Sequence, residues 1–388
     1  MKKYISLIVT CAIFTLFSSE RSAFSAEKSV PIIRVCILDD QDNVGVYVKG
    51  KYTVTSFGSS KILWSGDTWE RKIAVDKTGL IIDDKLADPS GIHINAQDGA
   101  NIWVNNKGFR GNIDVVKKAN QKLMVINHLP VESYLYGVLR HEVSHYWPVE
   151  VLKAQAIAAR TFALYEARQR KLQPYDLRSD IYSQVYGGRD LEKWTTTKAV
   201  DLTKGQVLTY KGDIFPTYYH ATCAGYTEDA SKLWDMDLAT LKGVPCNFCI
   251  RSPHYKWSKD IAPDVIASKL KEAGYKVGKV VSIGVLSRNR SRRVEKVEIK
   301  DNTGISYVLT GKKFRQMIGP NDIRSTNFYV AHRWGRFIIY GFGWGHGVGL
   351  CQWGAYGMAK SGRTAEAILK YYYPGSEITT IDKIANKL

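Results

Sequence analysis

Residues 129–167 read LPVESYLYGVLRHEVSHYWPVEVLKAQAIAARTFALYEA, and this stretch decides how the chain is understood. Leu135, Val138, Leu139 and Glu142 stand at i, i+3, i+4 and i+7, one apolar helical stripe that ends in a carboxylate. Burial disfavours the ionised form of a carboxyl group. Glu142 is therefore a candidate for a raised pKa and for holding a proton near neutral pH, as a general acid must. The same spacing also allows a Glu at the edge of the stripe, its tip in water or paired with a cation. Trp147-Pro148 ends this helix, and a second is expected over 149–168. Its Ala154, Ala156, Ala158, Ala159 and Ala163 let a neighbour approach closely. Gln155 shares a face with Leu152 and Ala159 and so points inward, toward Glu142, toward a bound ligand, or into the core as a satisfied amide.

The motifs are Leu129-Pro130-Val131-Glu132-Ser133-Tyr134-Leu135-Tyr136-Gly137-Val138, then Glu142, Trp147-Pro148 and 153–161. Near the C-terminus comes Gly343-Trp344-Gly345-His346-Gly347-Val348-Gly349-Leu350-Cys351-Gln352-Trp353-Gly354-Ala355. Shorter pieces join the two: Gln184-Val185-Tyr186-Gly187-Gly188, Tyr219-His220-Ala221-Thr222-Cys223, Ser325-Thr326-Asn327-Phe328 and 371–375. On these residues the chain resembles the stage II sporulation protein D family, whose motifs the cell-wall amidase enhancers share. The resemblance implies a peptidoglycan lytic transglycosylase. Such an enzyme cuts the bond from N-acetylmuramic acid to N-acetylglucosamine in peptide-stripped glycan and closes a 1,6-anhydro ring. Glu142 takes the place of the family's single acid and base. The resemblance also implies substrate contacts for Gln155, Arg160, Gln184, Tyr186, Trp344, His346 and Gln352; a core aromatic at Trp344 and a buried, satisfied histidine at His346 are the alternatives. Should hydrolysis replace ring closure, Glu132, Glu150 and Asp180 are the nearest second carboxylates. A non-catalytic amidase enhancer would use the same motifs.

His141-Glu142-Val143-Ser144-His145 is also H-E-x-x-H, the pattern of a zinc metallopeptidase when both imidazoles share one helix face. The Trp-Pro pair that follows counts against a helix running through it.

Cys246-Asn247-Phe248-Cys249 is C-x-x-C, with His220 and Cys223 upstream and His254 just after. Three thiolates and one imidazole make a closed tetrahedral zinc site, so His220, Cys223, Cys246 and Cys249 are the expected ligands, with His254 in reserve. A disulfide is the competing reading for an exported chain. The family pattern is broken at Ala224, where relatives often have Gly, and at Tyr226, where a His is frequent, which opens the ligand set to question. The alternating glycines of 341–349 predict an extended segment with Phe342, Trp344, His346 and Val348 on one face. They do not make a nucleotide loop, because no G-x-G-x-x-G is completed.

Residues 1–25 read as a signal peptide: Lys2 and Lys3, an apolar run from Ile5 to Phe17, then small residues. An uncleaved membrane anchor is the alternative, and either implies a secreted, periplasmic or wall location. The net charge of +18 in 388 residues suits anionic wall polymers; export argues against nucleic acid. Arg288, Arg290, Arg292 and Arg293 read as a solvated loop. The expected fold is α+β: a β-rich region over 26–128, a helical catalytic core over 129–259, an α/β subdomain over 260–330 and a Gly-rich segment over 331–388 that completes the core. Two lobes would flank a cleft. Strands are expected at 32–38, 46–48 and 122–126, and in the subdomain a helix, two strands and a helix at 263–273, 279–285, 293–300 and 312–317.

Overall fold

Val44, Val46, Val48, Tyr52 and Val54 turn inward along Asn43–Ser56 while their neighbours face out, and this period of two makes the segment a half-buried strand. It pairs with Ile62–Val75, Gly91–Ala96 and Asn101–Val104. The computed structural model describes residues 30–388 apart from 58, 60, 98, 181 and 182, so the expected signal segment lies outside the described residues. Among the described residues the large sheet has 11 strands. Leu123–Pro130 runs antiparallel to Ile32–Gln41, with Asn127 opposite Val35 and Pro130 opposite Ile32. The three strands expected from sequence are present within longer ones. The strands between them, from the long and largely exposed Ile62–Val75 to the short Leu80–Ile82, carry little strict alternation and so leave little signal in the sequence.

The chain leaves Pro130 directly into helix α1, Val131–Glu142, and after a short turn begins helix α2, Val149–Gln169. Pro suits the residue ahead of each helix because the first helical N–H groups have no partner within the helix. One apolar cluster runs from Ile33, Val35 and Leu129 of the sheet through Leu135, Val138 and Leu139 of α1 to Ala156, Ala159 and Phe162 of α2. The β-rich region and the helices thus share a core, and Pro31–Leu388 forms one compact unit. The other face of α2, with Val151, Ala154 and Ala158, packs on a second cluster that holds Cys223, Cys246, Cys249, Cys351, Leu350 and Ile368.

The subdomain contains helix Pro263–Glu272, strands Val280–Arg288 and Val294–Asp301, and helix Gly311–Ile318, with a further strand at Ser306–Thr310. Its arginine cluster meets the solvated-loop expectation at the exposed Arg290 and Arg292 and corrects it at the other two. Arg293 is 1% exposed and donates to the Cys223 carbonyl, and Arg288 donates to the Phe328 carbonyl. The Gly-rich segment is extended only through Phe342, the end of strand Arg336–Phe342, since Gly343, Gly345, Gly347 and Gly349 all have positive φ. A Cβ on Gly349 would stand 2.0 Å from the Tyr218 carbonyl oxygen, so only glycine fits there. Among the described residues no helix is long and apolar enough to cross a membrane.

Candidate active site and cysteine cluster

Glu142 is the last residue of α1, one turn beyond the buried Val138 and Leu139. Its carboxylate accepts hydrogen bonds from Gln352, Tyr219 and the backbone N–H of Val185. The two side-chain donors are themselves held. The Tyr134 hydroxyl donates to Gln184 Oε1 at 3.0 Å, and Gln184 Nε2 donates to the Tyr219 hydroxyl at 2.8 Å. Gln352 Nε2 donates to Gln155 Oε1 at 3.4 Å. Among the described residues every group acting on the Glu142 charge is a neutral donor. Burial therefore prevails over the hydrogen bonds and pushes Glu142 up to about 7, although part of the residue remains open to solvent. The helix dipole acts in the same sense, because a carboxylate in a last turn meets the negative helix end. A group that titrates there can give a proton and take it back near neutral pH.

The strand bearing Tyr219 and the segment bearing Gln352 are fastened to each other beside this carboxylate. Tyr219–His220 pairs in parallel with Leu350–Cys351, and the Trp147 ring packs 5.0 Å from that of Trp353. Next to Gln352 in sequence, Cys351 joins Cys223, Cys246 and Cys249 in a buried cluster whose four sulfurs all lie within 4.8 Å of one another. The Cys223 and Cys249 sulfurs are 3.6 Å apart. That is far beyond a disulfide bond and close to the roughly 3.8 Å edge of a tetrahedron with zinc–sulfur bonds of about 2.3 Å. The sulfurs also receive donors: the N–H groups of Cys223 and Gly354 reach Cys351 Sγ at 3.3 Å, and the Tyr372 hydroxyl lies 3.1 Å from Cys246 Sγ.

A model of the family described as "Stage II sporulation protein" matches residues 119–210, and a "Domain of unknown function" model matches 248–349. The chain is 31% identical to the stage II sporulation protein D of Bacillus subtilis over 291 residues, covering 71% of this chain and 81% of that one. It belongs to the stage II sporulation protein D family. An uncharacterized protein of Brachyspira hyodysenteriae is 32% identical over 355 residues, 91% of this chain and 94% of its own. The Bacillus subtilis amidase enhancer is 27% identical over 294 residues, 63% of this chain and 40% of that protein.

Several motif residues of this family member lie in places other than those expected. Arg160 is fully buried and forms a fork with Glu132, Nη2 to Oε2 at 2.6 Å and Nε to Oε1 at 2.9 Å. It cannot reach substrate, so its expected binding role is corrected to one of joining α2 to α1. Tyr186 is corrected in the same way, because its buried hydroxyl donates to Asn127 and its ring packs on Tyr134. Gln184 and Gln155 are sealed inside and reach Glu142 only through Tyr219 and Gln352. His346 is held at both nitrogens, accepting from the Val348 N–H and donating to the Tyr219 carbonyl. Burial pushes it down to about 3, so it stays neutral. Trp344 is partly exposed, with the His254 ring 4.5 Å away edge-on and the Arg324 guanidinium 4.9 Å from its centre.

The expected second carboxylates are engaged elsewhere: Glu132 with Arg160, Glu150 with Lys153 and the Ala365 N–H, and Asp180 with Arg178. His220 bonds to the Val348 carbonyl, and His254 faces Trp344, so neither belongs to the sulfur cluster; Cys351 stands in the fourth place instead. For H-E-x-x-H, α1 ends at Glu142 and Val143 is extended, so His141 and His145 do not share a helical face. Tyr219 and Cys351 were present in the quoted motifs without a role. The signal for Cys351 was weak, because the local C-x-x-C favours ligands close in sequence.

Proposed function

We propose that this protein is a peptidoglycan lytic transglycosylase with Glu142 as its acid and base, acting in cell-wall remodelling. One observation carries the reading: a single carboxyl group at the end of α1 is desolvated and met only by neutral donors, which pushes it up to about 7. Family membership supports a cell-wall role. Protonated Glu142 gives its proton to the glycosidic oxygen as the C1–O bond breaks through an oxocarbenium-like state. Tyr219, Gln352 and the Val185 N–H stabilise the carboxylate that results. Glu142 then takes the proton of the C6 hydroxyl as that oxygen bonds to C1 of the same sugar. An intramolecular nucleophile needs no second carboxylate. Mass analysis of products from defined glycan strands tests this: anhydro ends are expected, and reducing ends from the wild-type protein would exclude the ring closure. The likeness to a protein named amidase enhancer favours a second reading. Intact glycan together with a stimulated wall amidase would make that reading the better one.

We further propose that Cys223, Cys246, Cys249 and Cys351 hold one structural zinc ion. The four-thiolate donor set fits a closed tetrahedral site, which supplies folding free energy and no open position for substrate. Elemental analysis should find about one zinc per chain, lost in Cys351→Ser and kept in Cys36→Ser. A disulfide, seen as a mass two daltons below the reduced value (~2 Da, two hydrogens) with no zinc, would overturn the assignment.

A further inference from the structure

A cavity of about 730 Å³ is lined by Tyr255, Lys256, Arg292, Asn327, Tyr329 and Phe342 among others. All six fall inside the stretch matched as a domain of unknown function. None of them is among the groups that act on the Glu142 carboxylate, and neither Glu142 nor its donors line the cavity. Its chemistry is specific. Asn327 is 4% exposed, and its side-chain Oδ1 is buried with no hydrogen-bond partner among the described residues. Its backbone is already committed, the carbonyl to the Phe342 N–H and the N–H to Ser325 Oγ. A buried acceptor left unpaired costs free energy, and a turn of the Asn327 side chain into the cavity it lines would let a ligand N–H or O–H relieve that cost.

Lys256 and Arg292 are exposed, and among the described residues neither has a carboxylate partner and no acidic residue lines the cavity. Arg288, by contrast, is committed: it lies 4.2 Å over the Tyr329 ring and donates to the carbonyls of Arg292 and Phe328. This fixes the wall and leaves Arg292 free for an anion. Tyr329 and Phe342 meet edge to face at 6.2 Å and offer apolar surface to the C–H face of a sugar ring.

We propose that this cavity binds a carboxylate-bearing N-acylated sugar unit of a glycan strand. The carboxylate goes to Lys256 and Arg292, and the acylamino N–H to Asn327 Oδ1. The assignment rests on the glycan reading above and adds a place where an anionic sugar is told from a neutral one. Phe342 lies four residues before His346, which holds the Tyr219 carbonyl, so at most about 14 Å of chain joins the cavity wall to the support of Tyr219.

The test is binding of N-acetylmuramic acid and of N-acetylglucosamine to the full chain carrying Glu142→Gln, followed by NMR titration. N-acetylmuramic acid should bind about tenfold more tightly, the scale of one charge-assisted contact. Lys256→Ala with Arg292→Ala, both exposed and expected to fold, should abolish that preference. Asn327→Leu should weaken both sugars. Equal binding of the two sugars, a preference that survives the double substitution, or tighter binding of N-acetyl-D-alanyl-D-alanine would each overturn the assignment, the last by making a peptide carboxylate the ligand. Cleavage to anhydro ends without the preference removes this proposal alone. The preference without cleavage removes the catalytic reading and leaves the cavity's role standing.

Discussion

Helix α1 carries one glutamate near each end, and the two have opposite surroundings. Glu132 meets the buried Arg160 guanidinium in a two-bond fork and also accepts the Gly205 N–H. Glu142 meets a tyrosine, a glutamine and one backbone N–H, none of them charged. A paired buried carboxylate is a structural fastener whose proton is of no use. An unpaired one retains a proton that can be spent on chemistry. The motif residues Glu132 and Arg160 thus account for each other, and the helix they brace delivers Glu142.

The largest effect should come from removing the proton. Glu142→Gln is expected to lower glycan cleavage by about a thousandfold or more, within the range of general acid catalysis, with the circular dichroism spectrum unchanged. A folded variant that still turned over glycan would end the contrast between the two glutamates. Next comes the fastener. Arg160→Ala leaves Glu132 buried without its cation and should cost about 3 to 5 kcal/mol in urea unfolding, a loss larger than surface ion pairs produce. Its residual activity should keep the wild-type pH midpoint. A shifted midpoint would mean that the two glutamates are coupled.

The smallest effect tests the electrostatics directly. The ordinary value of 4.5 rises to about 7 in the folded chain, so between those values the unfolded state releases its proton first. The native state then holds more protons, and stability falls as pH rises through this window. Glu142→Gln has no such loss. Above pH ~7 it should be more stable than wild type by up to about 3 kcal/mol, with the difference closing below pH ~4.5. Unfolding curves at several pH values measure it. A difference independent of pH would mean that Glu142 is solvated like an ordinary surface carboxylate.

Much of this was legible along the chain. The spacing of Leu135, Val138, Leu139 and Glu142 placed the carboxylate on a buried stripe, and Trp147-Pro148 marked the break between α1 and α2. The alanines of α2 announced close packing against a neighbour, and the structure supplies one on each face. C-x-x-C located half of the sulfur cluster. These are signals of local period and local chemistry, and a linear sequence carries them in full.

Tertiary structure decided which partner each side chain meets. Arg160 and Glu132, Gln184 and Tyr219, and Cys351 and Cys223 are joined across long stretches of chain by the packing of separate segments. That packing made Arg160 a brace and not a substrate contact, put Cys351 where His220 was expected, and wound the glycines of 343–349 against their neighbours. It also left Glu142 among neutral donors. Desolvation and pairing depend on every atom within a few ångströms, and those atoms come from parts of the chain that no local pattern connects.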